Sequence, residues 1–191
     1  KYMRKSADHG KVEAMDQVAR MLMNGVGCEA DAAAALGYFK KAADSGYPKS
    51  LIAYGWMLAD GIGVEKKDLV EAENYLKKAA DEFKTIDAFH AYSRFLKQNG
   101  RQKESLEYLK KAADLEDAES MYMYSKEIQK DNKEESWKFL KKAAEKDYPY
   151  ALNDYAASLI ETDPGTAAKC LKKGADMGNN GAMFNYALLL S

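Results

Sequence analysis

The chain has 191 residues, 47% hydrophobic and 31% charged, with a formal net charge of −1. This is a globular composition without the basic excess that nucleic-acid binding asks for. No apolar run approaches the length of a membrane span, and two cysteines are too few for a disulfide framework.

The chain opens with KYMRKSADHG, a charged stretch with no signal-peptide core. Within it, Arg4–Asp8 (RKSAD) is the first copy of a short motif. Lys40–Asp44, Lys77–Asp81 and Lys110–Asp114 all read KKAAD, Lys141–Glu145 reads KKAAE, and Lys172–Asp176 reads KKGAD. The motif starts at 4, 40, 77, 110, 141 and 172, in steps of 36, 37, 33, 31 and 31 residues. A period in this range signals a solenoid. The segments between are rich in Ala, Leu, Lys, Glu and Met, which predicts helices.

The motif lies on one helix of each repeat, B. Five residues before the first lysine stand Ala35, Ala72, Ser105, Ser136 and Ala167; two before it stand Tyr2, Tyr38, Tyr75, Tyr108, Phe139 and Cys170. At about 100° per residue these share a stripe with the paired small residues. The lysines and the acid fall opposite, which predicts a solvated back.

A second helix, A, follows each motif. It opens on a small residue: Ala14, Ser50, Ala88, Ser120, Ala151, Ala182. Four later comes Val18, Tyr54, Tyr92, Tyr124, Tyr155 or Tyr186, then small again at Ala19, Gly55, Ser93, Ser125, Ala156 or Ala187. Three further on stands Leu22, Leu58, Leu96, Ile128, Leu159 or Leu190. Small positions allow close backbone approach and the larger ones fill the space between. Gly10, Gly46 and Gly178 suit a left-handed C-cap after helix B, and Pro48 and Pro149 suit the first turn of helix A.

The expected architecture is all-α: an α-solenoid of stacked antiparallel helix hairpins in a single array. Its repeats are 14–46, 50–82, 88–116, 120–147 and 151–178, with half-repeats at 1–9 and 182–191. The chain opens inside one repeat and stops inside another, so a piece of a longer protein is expected.

Ser50–Asp81, SLIAYGWMLADGIGVEKKDLVEAENYLKKAAD, resembles a Sel1-like repeat. It carries the small–x3–Tyr–Gly start, the G-x-G-V loop and the x-KKAA end. Ala14–Asp44 resembles it too, with Ala19 in place of the glycine. The last three full repeats keep the small, aromatic and KKAA columns but lack G-x-G and have shorter A–B loops. The resemblance implies a right-handed superhelix, related to tetratricopeptide arrays, that holds other proteins as a non-enzymatic adaptor. Cysteine-rich members of the family carry a disulfide in each repeat, and some bind β-lactams. This chain departs from them: Cys28 lies in an A–B loop and Cys170 on a helix B. Both are expected to be free thiols, which fits a reducing, cytoplasmic location.

Candidate chemistry is thin. Gly25-Val26-Gly27 and Gly61-Ile62-Gly63 follow no strand and lack the Lys-Ser/Thr of a phosphate loop, so they read as loop-shaping turns. His9 and His90 are the only histidines, and neither stands in a metal-ligand spacing. No catalytic residue, metal or cofactor is assigned.

By analogy with tetratricopeptide arrays, helix A lines a concave groove. Two columns on its outward face stand four residues apart: Asp16, Ile52, His90, Tyr122 and Asn153, then Arg20, Trp56, Arg94, Lys126 and Ala157. Trp56 there either anchors a partner or packs on the next helix. Arg20, Arg94, Lys97 and Lys126 form a sparse basic track. The expected partner is a protein or peptide segment with an acidic or carboxylate end; no nucleic-acid partner and no membrane insertion are expected. The alternatives are a structural subunit of a larger multiprotein complex, an RNA-reading helical repeat, and an enzyme of the cysteine-rich type.

Overall fold

A computed structural model describes residues 2–190. Lys1 and Ser191, the outer ends of the two expected half-repeats, lie outside the described residues. The contacts divide the chain into two compact units, one ending at Arg101 and one beginning at Gln102.

The first unit holds α1 (Tyr2–Asp8), α2 (Val12–Asn24), α3 (Ala32–Asp44), α4 (Pro48–Asp60), α5 (Leu69–Phe83) and α6 (Ile86–Gln98). The second holds α7 (Gln102–Asp114), α8 (Ala118–Ile128), α9 (Lys133–Glu145), α10 (Pro149–Leu159), α11 (Pro164–Asp176) and α12 (Asn180–Leu189). Even-numbered helices are the A type and odd-numbered the B type. Within each unit every helix packs on the next in the chain; α4 also reaches α6, and α10 reaches α12. Each unit is therefore a serial stack of helix hairpins, and the fold is an all-α helical-repeat solenoid.

Local chemistry sets the helix ends. Asp31, Asp68, Asn132 and Asp163 cap α3, α5, α9 and α11 by accepting from the main-chain N–H three residues on. Pro48 and Pro149 open α4 and α10 as expected. The A–B loops at 25–31 and 61–68 are the long ones; those at 129–132 and 160–163 are tight.

The small columns are the packing seams. Ala42, Ala43, Ala79, Ala80, Ala112, Ala113, Ala143 and Ala144 are buried, as are the A-helix starters from Ala14 to Ala182. Gly55 shows the tolerance: a Cβ there would sit 2.7 Å from Leu76 Cγ. Gly63, at φ +75, turns the loop so tightly that a Cβ would meet Ala32 O at 2.5 Å. The larger columns fill the remaining space: Leu22, Tyr54, Leu58, Tyr92 and Leu96 in the first unit, Tyr124, Ile128 and Tyr155 in the second. At the end of α12 the same column is open, with the capping Leu190 exposed and no helix B following it among the described residues.

The back of helix B is more than solvated. Lys40 Nζ donates to Glu71 Oε1 (2.8 Å) and to Tyr54 OH (3.1 Å), and Tyr54 OH donates to the same Glu71 oxygen. The second unit repeats the arrangement in register: Lys110 Nζ to Glu135 Oε1 (2.6 Å), with Tyr124 OH on that oxygen. Each trio ties one helix B to the hairpin that follows. The acid of the motif does the same work. Asp8 accepts from Tyr38 OH and Asp44 from Tyr75 OH. These groups are largely exposed, so each ion pair stabilises by about 1 kcal/mol at most. Their effect is to fix the register of hairpin on hairpin.

The left-handed position after helix B is glycine at Gly10, Gly46 and Gly178, but Lys84, Glu116 and Asp147 occupy it elsewhere at φ 51, 60 and 63. A side chain there costs about 1–2 kcal/mol, partly offset by the greater freedom glycine loses on folding. Lys84→Gly is therefore expected to stabilise the protein by about 0.5–1 kcal/mol, measured as a raised urea midpoint at unchanged m-value; a lowered midpoint would contradict the strain.

Burial first, and the bond to Asp44 second, push the Tyr75 phenol up to about 12 from its ordinary 10.0. A raised folded-state pKa stabilises fully below the ordinary value and is lost as pH rises through the folded one. Lys40, raised first by its bond to Glu71 and then by Tyr54, acts in the same direction. The urea midpoint is expected to fall between about pH 10 and 12, and to fall less steeply in Tyr75→Phe. An unchanged slope would show that the phenol is not held in solution.

Candidate partner-binding surface

The A helices place the two outward columns at different depths. On α2, Asp16 is buried at 4% exposure. Arg20 Nε donates to its Oδ2 (2.7 Å), Arg20 Nη2 to its Oδ1 (3.2 Å), and Ser50 Oγ from α4 to Oδ1 (2.8 Å). Asp16 thus pins α4 to α2 and orients Arg20, whose guanidinium lies 5.7 Å from the Phe39 ring centre. Arg20 itself remains exposed.

On α4, Ile52 and Trp56 are half-buried one turn apart. Both uses foreseen for Trp56 have a basis in its surroundings. Its ring meets Phe95 of α6 edge-on at 6.4 Å and 73°, and its face is covered by the Arg94 guanidinium at 3.7 Å. Arg94 is exposed and forms no ion pair or hydrogen bond among the described residues. A guanidinium on an indole face keeps its N–H donors for a carboxylate. His90 is half-buried one turn before it, and Lys97 is exposed.

In the second unit the columns close on a carboxylate. Tyr122 OH and Lys126 Nζ both donate to Asp154 Oδ2, at 3.1 and 2.9 Å. Asn153 Nδ2 donates to Asp154 Oδ1, and Asn185 Nδ2 of α12 donates to Asn153 Oδ1. Burial, then the Asp154 charge, pushes the Tyr122 phenol up to about 12. Tyr122 also packs on Tyr148 and Tyr150, with ring centres 5.3 and 6.3 Å away. The repeat columns bring Tyr122, Lys126 and Asn153 together but pass over Asp154, Tyr148 and Tyr150. The positions matching Asp154 in other repeats are Gln17, Ala53, Ala91, Met123 and Asn185, so no column marks it as an acid. A signal existed only in the cation one repeat earlier, Lys126.

The cations of the track therefore differ. Arg20 is neutralised by Asp16 and Lys126 by Asp154, whereas Arg94 rests on Trp56 with no carboxylate partner among the described residues. Both cysteines are free thiols and half-buried. Cys28 donates to Met21 O, and burial pushes the Cys170 thiol up, the reverse of what a thiolate nucleophile needs. Among the described residues no group of three His, Cys, Asp or Glu could hold a metal ion, and no helix is long and apolar enough to cross a membrane.

Removing Asp16 strands the buried Ser50 hydroxyl and frees Arg20. Asp16→Ala is expected to cost about 1–3 kcal/mol, and Arg20→Ala, which leaves the buried Asp16 carboxylate without its cation, a cost in the same range, both by urea unfolding. A negligible cost for Arg20→Ala would show that Ser50 alone holds the carboxylate.

The sequence matches the Sel1 repeat over residues 12–47, 48–82, 89–117, 118–148 and 154–179. No curated protein matches it. Among solved structures it is similar to c5321, a protective antigen of uropathogenic Escherichia coli strains with an SLR fold (TM-score 0.74, 23% identity), over 97% of this chain and 42% of that one. A Sel1 repeat protein from Oxalobacter formigenes is similar over 91% of this chain and 76% of that one (TM-score 0.72, 23% identity). YrrB, a TPR protein with an unusual peptide-binding site, is similar over 97% of both chains (TM-score 0.58, 17% identity). At these identities the likeness is one of fold. The chain spans less than half the length of c5321.

Proposed function

The chain belongs to the Sel1 repeat family, and on that premise we propose that it is a non-enzymatic scaffold that holds a protein partner on the outward face of its A helices. In the first unit the contact centres on Trp56 and Arg94. The observation that carries this reading is the exposed Arg94 guanidinium placed 3.7 Å from the centre of a half-buried indole, with no carboxylate partner among the described residues. Its counterpart is an acidic side chain or a terminal carboxylate, taken by the guanidinium N–H donors. Ile52, one turn before Trp56, offers apolar contact beside it. Asp16 belongs to the support of this face, since its carboxylate is already engaged by Arg20 and Ser50. The similarity to a peptide-binding TPR protein supports the same class of partner. The two free thiols fit a reducing location.

A second reading, a structural part of a larger assembly, is favoured by one observation: Phe184, Leu188 and Leu190 of the last repeat are exposed. Apolar side chains in such a group favour cover by another surface.

The test uses a partner identified by affinity capture from native extract. Trp56→Ala and Arg94→Glu are each expected to weaken its binding at least about tenfold, as a central aromatic–Arg anchor does. Added salt is expected to weaken the wild type more than Arg94→Glu. Unchanged affinity in both variants would overturn this assignment of the surface.

A further inference from the structure

We propose that a cleft between α8, α9 and α10 is a second recognition site, which takes an aromatic side chain from an acidic segment of a protein partner. It lies wholly in the second unit and uses neither Trp56 nor Arg94. Its volume is about 470 Å³, within the range of ligand clefts. The decisive lining residues are Trp137 and Leu140 of α9, Ala157 of α10, and Lys126, Asp154 and Lys133.

The interior is built for an apolar guest. Ser125 Oγ donates to Tyr122 O (2.7 Å), Ser136 Oγ to Ser125 O (2.8 Å) and Ser158 Oγ to Tyr155 O (2.7 Å). Every serine that lines the cleft has thus committed its proton to a main-chain carbonyl. A guest would find no hydroxyl donor, and the polar groups of the lining left to it are the Gln129 amide and the charged side chains. Trp137 presents an indole that is 43% exposed. It is braced by Tyr155 at 5.8 Å and by the Lys141 ammonium at 5.5 Å. A braced, half-exposed indole, with Leu140 one turn on along α9 and Ala157 of α10 in the same lining, gives an aromatic ring both a stacking partner and apolar contact.

The charge of the lining selects what flanks that ring. Lys126 is already paired with Asp154. Lys133, in the first turn of α9, makes no ion pair among the described residues. The cleft therefore keeps one unneutralised positive charge at its rim, which complements a carboxylate next to the inserted ring and repels a basic neighbour. Lys133, Trp137, Ala157 and Ser158 of its lining are exposed, which suits a side chain delivered by a peptide backbone crossing its mouth.

The chain has two tryptophans, so in a Trp56→Phe background Trp137 is the only indole reporter. The probe is the peptide acetyl-Glu-Asp-Phe-Asp-Glu-amide, followed by tryptophan emission. A saturable change is expected. It is expected to disappear when serine replaces the phenylalanine of the peptide, and to be weaker by about tenfold for acetyl-Lys-Lys-Phe-Lys-Lys-amide. Ala157→Phe fills the cleft from an exposed position. With the helical circular dichroism unchanged, it is expected to weaken binding by about tenfold, and Lys133→Glu by about threefold. No saturable change, equal binding of the serine or the lysine peptide, or full binding by both protein variants would overturn the proposal. Because the background lacks Trp56, a failure here leaves the Trp56–Arg94 surface standing, and the converse.

Discussion

How close two helices can come is the constraint on which this protein rests. Each hairpin seam places small residues from both sides at the crossing: Ala42–Ala43 and Ser50, Ala79–Ala80 and Ala88, Ala112–Ala113 and Ser120. At Gly55 the clearance is too small even for a methyl group without moving Leu76. An added methylene in such a seam costs about 1–3 kcal/mol, and a stack repeats the seam at every hairpin. The large side chains are secondary to this. Tyr54 meets Tyr75 edge-on at 4.6 Å, and Tyr124 meets Phe139 in the same way at 4.9 Å. They fill the space that the small residues leave once the backbones have closed.

Close seams alone would leave neighbouring hairpins free to slide by a turn, since one alanine face fits another in several registers. The polar ends of the motif remove that freedom. Lys40, Tyr54 and Glu71 meet at one carboxylate oxygen, and Lys110, Tyr124 and Glu135 meet at another. Exposed pairs of this kind add little stability, but a hairpin shifted by one turn would lose the whole trio and the Tyr–Asp bond beside it. Apolar contact sets how near the helices lie, and the polar trio sets which residues face each other.

The same logic separates support from surface on the A helices. Asp16 of the same helix engages Arg20 while holding Ser50 of α4, and Asp154 of α10 engages Lys126 of α8, so those cations are part of how the stack is held. Arg94 lies on the aromatic face of Trp56 and forms no ion pair among the described residues, which leaves its charge available. Trp137 is likewise braced from behind and open in front. Rigid, oriented and incompletely satisfied groups on a rigid stack are what recognition of a partner requires.

The sequence by itself determined the repeat, the pairing of helices into hairpins, the seams of small residues and the loop glycines, because all of these follow from local periodicity and backbone geometry. It also put Trp56 and Arg94 in one outward column, since an i, i+4 pattern on a helix is visible in one dimension; Arg94 is exposed, and Trp56 is half-buried against Phe95. Lys84, Glu116 and Asp147 held a left-handed turn that only glycine announces, so that slot was legible in three repeats and hidden in the others. Only the tertiary structure decided that Asp16 is buried, that Asp154 gathers Tyr122 and Lys126, and that Trp137 walls a cleft. Those outcomes depend on which side chain of the next hairpin arrives within about 3 Å of a charge or ring. That distance is set by how the helices close on one another, and no single column of the repeat contains it.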